Sequence, residues 1–342
     1  MKRLITYTAI ALSVFLPCLP KAAFAQIPSA ETNAAPASAE LSETVYVVWM
    51  GKNTPGSIWF TTSNGSGGWN SQQEIASTST TQAAALVVNS TTLYLAWRGP
   101  STGTTDEIHY TTNTGSGWSS SHPAICSGNT CAETTSAPAL AANGSTLYAA
   151  WTTASNTIEF ATNNKGLWTF STTPATTNSH TAPALAVYDG MVFLAWVAEG
   201  SSQVMSATLP VSGGSWSTPL ATPAVTSVAP ALGVYVDPST LGALKAGLYL
   251  AWNTGSGLDY ADWDDGWSAA VPIPGLPIPP GPLTPALVST AITMPGCTLT
   301  YYDFSVVYDY TAASTYQGID YLTLSTDVAG KCVPPCRGLT CT

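Results

Sequence analysis

Carboxylates at one recurring position are the residues of this sequence best suited to catalysis. A segment of the form Ile-x-Tyr or Ile-x-Phe recurs along the chain, and its middle residue changes type from copy to copy. In order, the middle residues are Trp59, His109, Glu159, Met205, Asp259 and Asp320. A position held only by packing would repeat more faithfully, so this one is a candidate to line a cleft; the alternative, which we favour, is a tolerant strand position near the rim. Glycoside hydrolysis requires two carboxyl groups about 5–10 Å apart, and the neighbouring pair Asp259 and Asp320 is the candidate for it.

Tryptophans at a second recurring position indicate a different chemistry, the binding of sugars. A strand-like segment ends in tryptophan in five copies, and these residues are Trp49, Trp97, Trp151, Trp196 and Trp252. A sugar stacks its C–H face on an aromatic ring and donates and accepts hydrogen bonds through its hydroxyls. Arg98, Glu107 and Asn253 lie next to the tryptophans and are polar candidates for ligand binding. Because the tryptophan repeats so regularly, packing between repeats is the favoured interpretation of the indole itself.

Other catalytic and metal-binding signatures are missing. The sequence contains no G-x-S-x-G, no H-E-x-x-H and no phosphate-binding loop. The three histidines, His109, His122 and His180, would have to meet from different repeats to bind a metal. The cluster Asp262, Asp264 and Asp265 does not have the spacing of an EF-hand calcium loop. We therefore predict no metal, no cofactor and no recognisable catalytic constellation, and the sequence leans away from an enzyme.

A repeat places all of these residues. Its clearest copies are APALAANGSTLYAAW, which ends at Trp151, and APALAVYDGMVFLAW, which ends at Trp196, with proline thirteen residues before tryptophan in both. Two later copies stretch this interval to twenty-two residues, from Pro230 to Trp252 and from Pro285 to Val307. There are six copies, about 45 to 56 residues apart.

The pattern within each copy predicts four short strands. Alternation in LYLAW puts Leu93, Leu95 and Trp97 on one face, and no segment shows helical periodicity. Six copies of four antiparallel strands are typical of a β-propeller. We predict an all-β fold, a six-bladed β-propeller of four-stranded antiparallel blades, over residues 26–330. The sixth copy lacks an evident fourth strand, and we expect residues 26–34 to supply it and close the ring.

Two known families share parts of this repeat. The segment TTNTGSGW, Thr111 to Trp118, resembles the Asp-box of sialidases and related propellers, and Asn163 to Trp168 and Asp262 to Trp267 resemble it in part. The repeat as a whole resembles that of secreted six-bladed lectins of the fucose-binding kind. Together the resemblances cover nearly all of residues 34–325. They imply a propeller whose Asp-box turns lie on the face opposite the active site.

The arginine content limits what the resemblance implies for function. Sialidases hold the substrate carboxylate with three arginines, because a guanidinium binds a carboxylate bidentately. Beyond residue 25 the chain has only Arg98 and Arg337, so that triad cannot form. Pockets of the fucose-lectin kind use an arginine with a glutamate and aromatic rings. Only Arg98 follows a repeated tryptophan, so we expect at most one pocket of that type.

The first 25 residues and the cysteines indicate secretion. Lys2 and Arg3 precede an apolar run, and Ala23-Phe24-Ala25 offers a cleavage site, so residues 1–25 are predicted to be a signal peptide. No later stretch reaches the ~18 apolar residues that span a membrane. Six cysteines remain, and in an oxidising compartment we expect three disulfides from Cys126, Cys131, Cys297, Cys332, Cys336 and Cys341. Cys126 and Cys131 form the natural local pair; the other four, three of them in a cysteine-rich tail over 331–342, allow three pairings.

Charge narrows the partner class. The chain has 9 basic and 19 acidic residues and a formal net charge of −10, which argues against nucleic acid because phosphate binding needs clustered Lys and Arg. We predict a secreted (extracellular or periplasmic), monomeric, lectin-like module whose partner is a glycan or polysaccharide. The alternatives are an extracellular glycan-active hydrolase or lyase that uses Asp259 and Asp320, and a protein-interaction scaffold.

Overall fold

The computed structural model describes most of the chain from residue 27 to residue 329. The described residues are 27, 29–32, 34–52, 56–64, 68–99, 106–174, 177–235, 246–273, 285–293, 300–312 and 316–329, with the last part, from 288 onward, described as backbone. The predicted signal peptide and the predicted tail, with Cys332, Cys336 and Cys341, lie outside these ranges, as does Cys297.

Every regular element in the described ranges is a β-strand. Blade one contains β1 (Ala37–Leu41), β2 (Thr44–Met50), β3 (Ile58–Thr62) and β4 (Gln73–Ile75). Blade two contains β5 (Ala85–Asn89), β6 (Thr92–Arg98), β7 (Asp106–Asn113) and β10 (Glu133–Thr134), and a separate hairpin is formed by β8 (Cys126–Ser127) and β9 (Thr130–Cys131). Blade three contains β11 (Ala139–Asn143), β12 (Thr146–Thr152), β13 (Ile158–Asn164) and β14 (Leu167–Ser171).

The remaining strands complete the second half of the ring. Blade four contains β15 (Ala184–Tyr188), β16 (Met191–Val197), β17 (Gln203–Pro210) and β18 (Leu220–Val225). Blade five contains β19 (Ala231–Tyr235), β20 (Gly247–Asn253), β21 (Leu258–Trp263) and β22 (Val271–Pro272). Blade six contains β23 (Pro285–Thr293), β24 (Thr300–Ala312) and β25 (Tyr316–Ala329), three strands in the described ranges.

The blades form a closed six-bladed β-propeller. Within each blade the successive strands pair antiparallel, with the β8–β9 hairpin inserted between β7 and β10 in blade two, and we call them A to D from the axis outward. The inner A strands contact one another around a full circle, because β1 lies against β5 on one side and against β23 on the other. The predicted all-β propeller of four-stranded antiparallel blades is confirmed, with the fourth strand described in blades one to five.

Burial on both faces explains the apolar composition of the B strands. In β2 every residue from Val45 to Met50 is buried, and β20 is buried along its whole length. Alternate side chains of a strand point to opposite faces of the sheet, and here each face meets a neighbouring blade. Full burial of a large apolar side chain stabilises a fold by about 1.5–3 kcal/mol, so these strands form the core.

A disulfide-linked hairpin interrupts the outer strand of blade two. Cys126 and Cys131, the predicted local pair, form a disulfide with a Cα–Cα distance of 3.9 Å. On either side of the hairpin, Ile125 donates its backbone N–H to the carbonyl of Ile108, and the N–H of Ile108 is donated to the carbonyl of Ala132. The outer strand therefore pairs with β7 before and after the insertion. Where the chain is described, none of its elements is a helix able to cross a bilayer.

Candidate functional site

The variable middle position lies beside the repeated tryptophan in blades one to five. The strand registers pair Trp49 with Trp59, Trp97 with His109, Trp151 with Glu159, Trp196 with Met205, and Trp252 with Asp259. Residues directly opposite each other on antiparallel strands project to the same face. Since the tryptophans face the preceding blade, the middle residues line the space between that blade and their own. We call this space the slot of the blade.

The tryptophans themselves are packed into the core. Their relative exposures are 1% for Trp49, 2% for Trp97, 0% for Trp151, 1% for Trp196 and 2% for Trp252. Trp97, for example, packs with Val48, Ile58 and Ile75 of blade one. None of the five indoles presents an open face on which a sugar could stack, and of the five we keep only Trp49, which lines a cavity, as a candidate for ligand contact.

The slot of blade one is open. It holds a cavity of about 250 Å³ lined by Ser29, Glu31, Trp49, Gly51, Lys52, Trp59 and Gln72. Trp59 is half-buried and offers part of its indole to the cavity. Gly51 permits this placement, because a Cβ at Gly51 would lie 2.6 Å from Cδ1 of Trp59. The N–H of Lys52 donates to the carbonyl of Glu31 over 3.1 Å, which ties the two sides of the cavity together.

Two histidine rings fill the corresponding slot of blade two. His109 stacks on Trp97 with ring centroids 6.2 Å apart, and His122 meets the same indole edge-on at 5.2 Å. Nδ1 of His109 lies 3.1 Å from the carbonyl oxygen of His122, which holds the two residues together. Gly99 has the same role in blade two as Gly51 in blade one. It leaves room for the middle residue, because a Cβ at Gly99 would lie 2.7 Å from Cδ2 of His109.

A phenylalanine covers the tryptophan of blade three. Phe170 meets Trp151 edge-on with ring centroids 5.3 Å apart, and its strand register pairs it with Ala161, two residues beyond the middle residue Glu159. Extending the registers of blades one and two by one or two residues puts Gln72 and His122 at this same place. We call it the cover position: it carries an amide in blade one and an aromatic ring in blades two and three.

Glu159 borders a second, larger cavity on the outer side of blade three. This cavity of about 520 Å³ is lined by Thr157, Ile158, Glu159, Phe160, Phe170, Ser171, Thr172, Thr173, Pro174, Thr177 and Asn178. Apart from Glu159 its polar lining consists of hydroxyl and amide groups, and Thr173 and Thr177 already bond to each other through their hydroxyls at 2.7 Å. Its aromatic lining is Phe160 and Phe170, and no indole lines it, in contrast to the cavity of blade one.

Arg98 is held in a buried ion pair. Its Nε lies 2.8 Å from Oδ2 of Asp106, and the two side chains are 9% and 4% exposed. Its Nη1 also donates to the carbonyl of Thr135 over 3.3 Å, which links blade two to the connection that enters blade three. The guanidinium predicted to bind a ligand therefore serves the scaffold in this structure.

The other two polar candidates lie outside the open cavity. Glu107 is exposed on β7, where Oε2 lies 3.9 Å from Nε2 of His109. Asn253 is buried at the end of β20, and its side-chain oxygen accepts the N–H of Gly255 within the following turn. Neither residue lines the cavity of blade one.

The candidate catalytic carboxylates are described in part. Asp259 is half-buried beside Trp252, and burial raises the pKa of its carboxyl above the ordinary value of 3.8. The backbone of Asp320 pairs with Tyr308 in blade six, but its side chain lies outside the described part of the structure. The proposed Asp259–Asp320 pair therefore stays a prediction.

Polar side chains organise the turns between strands C and D. Oδ1 of Asn113 accepts the N–H of Gly115 at 2.7 Å and of Gly117 at 3.3 Å, and Oδ1 of Asn163 accepts the N–H of Gly166 at 2.9 Å. In the described ranges no three His, Cys, Asp or Glu side chains are grouped as a metal site would require.

Sequence reasoning singled out Trp59 but missed Ser29, Glu31 and Gln72. Ser29 and Glu31 precede the first recognised repeat, and Gln72 directly precedes the outer strand β4. The sequence of the outer strand varies from blade to blade. The signal that could have found the first two is a spacing: a buried Thr or Ser lies seventeen residues before the tryptophan in blades one to four, and in blade one that residue is Thr32.

Comparisons with known proteins agree on the fold. No family model matches the chain, and no curated protein matches it in sequence. A fucose-specific lectin from Aleuria aurantia is 14% identical, with 87% of this chain and 97% of the lectin covered and a TM-score of 0.54. The SapL1 lectin in complex with alpha methyl fucoside is 10% identical, with coverages of 90% and 99% and a TM-score of 0.56. The Hadza microbial sialidase Hz136 is 12% identical, covers 88% of this chain and 68% of its own, and has a TM-score of 0.55.

At such low identities these likenesses extend to the fold and not to the ligand. A matched Aleuria aurantia lectin is described as a six-bladed β-propeller, and the present chain has the same architecture over nearly its whole described length.

Proposed function

We propose that this protein is a secreted carbohydrate-binding module and that the slot of blade one is its binding site. One observation carries the proposal: at the cover position blade one has Gln72, where blades two and three place an aromatic ring against the tryptophan. The cavity left in blade one has a partly exposed indole and polar groups around it. That combination is absent from the two filled slots.

The chemistry of the lining suits a sugar. The indole of Trp59 offers a flat apolar surface for a C–H face, and Gln72, Ser29, Glu31 and Lys52 offer donors and acceptors for hydroxyl groups. Drug-sized ligands occupy pockets of roughly 300–1,000 Å³, so the cavity of about 250 Å³ suits a single sugar ring. Longer glycans would extend from it into solvent.

The matched structures support the class of ligand and leave its identity open. Two of them are lectins whose descriptions name fucose or a fucoside, and one is a sialidase. In the present chain Arg98 is engaged by Asp106, and the cation that lines the open slot is Lys52. We therefore propose sugar binding without assigning fucose or sialic acid as the ligand.

A glycan-array assay on residues 26–342 tests the proposal. We expect saturable binding, and Trp59→Ala should weaken it at least about tenfold because an aromatic anchor in a pocket carries much of the binding energy. Leu167→Ala is the matched control, since Leu167 is 76% exposed at the start of β14 in blade three, away from the slot of blade one. An array with no bound glycan, or equal binding by wild type and Trp59→Ala, would refute the proposed site.

The glycan-active alternative is tested in the same samples. The raised pKa of Asp259 is a property that a general acid needs. Release of reducing ends from bound glycans, lost in Asp259→Asn, would establish an enzyme. Binding without release would support the binding module.

A further inference from the structure

We infer that the segment formed by residues 27 and 29–32 occupies the place of the outer strand in blade six, and that Ser29 and Glu31 of this segment complete the slot of blade one. The first part stands on contacts within the chain. The second part rests on the proposed function.

A repeated turn identifies the segment with the outer strands of other blades. Thr32, Thr80, Thr134 and Ser179 each lie seventeen residues before the tryptophan of the next strand B, and all are at most 1% exposed. The side-chain oxygen of Thr32 accepts the N–H of Ala34 at 3.1 Å and donates to its carbonyl at 2.8 Å. Thr134 and Ser179 make the same pair of bonds to the residues two positions further on. Thr32 thus begins a connection of the kind that leads from strand D to the next strand A.

Packing places the segment against the face of blade one that looks toward blade six. Ile27 and Ala30 are 2% and 4% exposed and pack against Val45, Val47 and Trp49. In blade three, the same face of strand B is covered by Ile125 and Ala132 from the outer strand of blade two. The two pairs also share a backbone hydrogen bond. Ala30 donates its N–H to the carbonyl of Ile27 at 3.3 Å, and Ala132 donates its N–H to the carbonyl of Ile125 at 2.8 Å.

A hydrogen bond between blades recurs at the same place. Lys52 lies three residues after Trp49 and donates its N–H to the carbonyl of Glu31 at 3.1 Å. Glu199 lies three residues after Trp196 and donates its N–H to the carbonyl of Asn178, in the outer segment of blade three, at 2.9 Å. Glu31 immediately precedes Thr32, just as Asn178 immediately precedes Ser179.

By these parallels, the segment takes the fourth-strand position of blade six. In the described ranges, blade six has three strands, and its inner strand β23 lies against β1. Through Ile27 and Ala30, the segment covers on blade one the surface that the outer strand of a preceding blade covers elsewhere. It would also shield the edge of β25, and exposed strand edges are sites of aggregation.

Hydrogen exchange followed by mass spectrometry tests the closure without any ligand. In the full chain, Ile27→Asp should speed amide exchange in both β2 and β25 by at least about tenfold, because it frees the segment from both neighbours. Ile75→Asp is the matched control at a described outer strand, and it should affect β3 and β6 while leaving β25 unchanged. If Ile27→Asp increased the amide exchange rate in β2 but left the rate in β25 unchanged, the inference would be overturned.

A second pair of variants, less disruptive than a buried aspartate, tests the closure if Ile27→Asp fails to fold. Thr32→Val removes the turn bonds of the segment, and Thr80→Val removes those of blade one. Thr32→Val should again loosen β25 selectively, and unchanged β25 exchange would count against closure.

The contribution to the slot has its own readout. Glu31→Gln should weaken glycan binding about tenfold or more through loss of a charged hydrogen-bond acceptor, with exchange in β25 unaltered. Closure without glycan binding would reject the proposed function alone, and glycan binding unaffected by Glu31→Gln would reject the role of the segment in the slot.

Discussion

His122 lies edge-on against Trp97, with ring centroids 5.2 Å apart and ring planes at 84°. Phe170 has almost the same relation to Trp151, at 5.3 Å and 64°. Edge-to-face contact is a favoured geometry for aromatic pairs. The slots of blades two and three are therefore occupied by side chains of the protein itself. Of these three blades, blade one alone has no ring at the cover position, and its slot is the one that holds a cavity beside the tryptophan.

A ring introduced into blade one should close its slot. Gln72→Phe puts an aromatic side chain where Phe170 stands in blade three, and we expect glycan binding to fall at least about tenfold because the ring occupies the cavity. Gln73→Phe is the matched control, since Gln73 is the exposed next residue and projects to the opposite face. Array binding and thermal unfolding should be measured for both variants. Full binding by Gln72→Phe would show that the ligand does not occupy this cavity.

The histidine in the slot of blade two should be replaceable by phenylalanine with a gain in stability. Nε2 of His122 is buried and has no hydrogen-bond partner in the described part of the chain. Leaving a buried polar atom unpaired costs about 1–3 kcal/mol, and Phe170 shows that a phenylalanine fits the equivalent place. We expect His122→Phe to raise the free energy of unfolding in urea by about 1 kcal/mol. A decrease would mean that the imidazole has a partner, such as water, that phenylalanine lacks.

The buried ion pair of blade two should be costly to break on one side. Arg98→Ala leaves the carboxylate of Asp106 buried without its guanidinium, and removal of one partner of such a pair costs about 3–5 kcal/mol. The double variant Arg98→Met, Asp106→Leu should recover most of that loss in urea unfolding. If Arg98→Ala were stable but lost glycan binding, the guanidinium would be a ligand contact, as the sequence predicted.

The half-buried carboxyl of Asp259 should make stability depend on pH. Its pKa is raised in the folded protein by burial, so the folded state binds the proton more tightly than the unfolded state. Stability should therefore fall as pH rises from about the unfolded value near 4 through the raised pKa. Asp259→Asn lacks this titration, and its advantage over wild type should be present at neutral pH and shrink below pH ~4. If the difference in free energy of unfolding between wild type and Asp259→Asn were the same at every pH, burial of the carboxyl would not affect its titration.

The fold was predictable because it rests on alternation and spacing. Six copies of one pattern, with apolar residues on both faces of strand B, require neighbours on both sides, and a ring of blades provides them. The hairpin at Cys126 and Cys131 was harder to place, because an insertion into an outer strand leaves the repeat around it intact. Its disulfide was still evident from the short spacing of the two cysteines.

The site was less predictable because burial is decided by the neighbouring blade. Arg98 follows a repeated tryptophan and has the right chemistry for a sugar, but once the strands pair it forms an ion pair with Asp106, two residues before its register partner Ile108. Whether an indole faces a cavity or a ring depends on the cover position, where Gln72, His122 and Phe170 share no sequence pattern. Glu31 enters the slot from a segment that precedes the first recognised strand.

The contact between β1 and β23 has a consequence for how the protein folds. It joins the first strand of the ring to one that begins at Pro285, whereas the hairpins within each blade join strands close in sequence. Contacts between distant parts of a chain form slowly because a long loop must close first. We expect individual blades to assemble early, and a nascent chain that stops before blade six to expose strand edges and the apolar faces of two blades. Meeting of the first and last blades would then be the slow, aggregation-sensitive step of biogenesis.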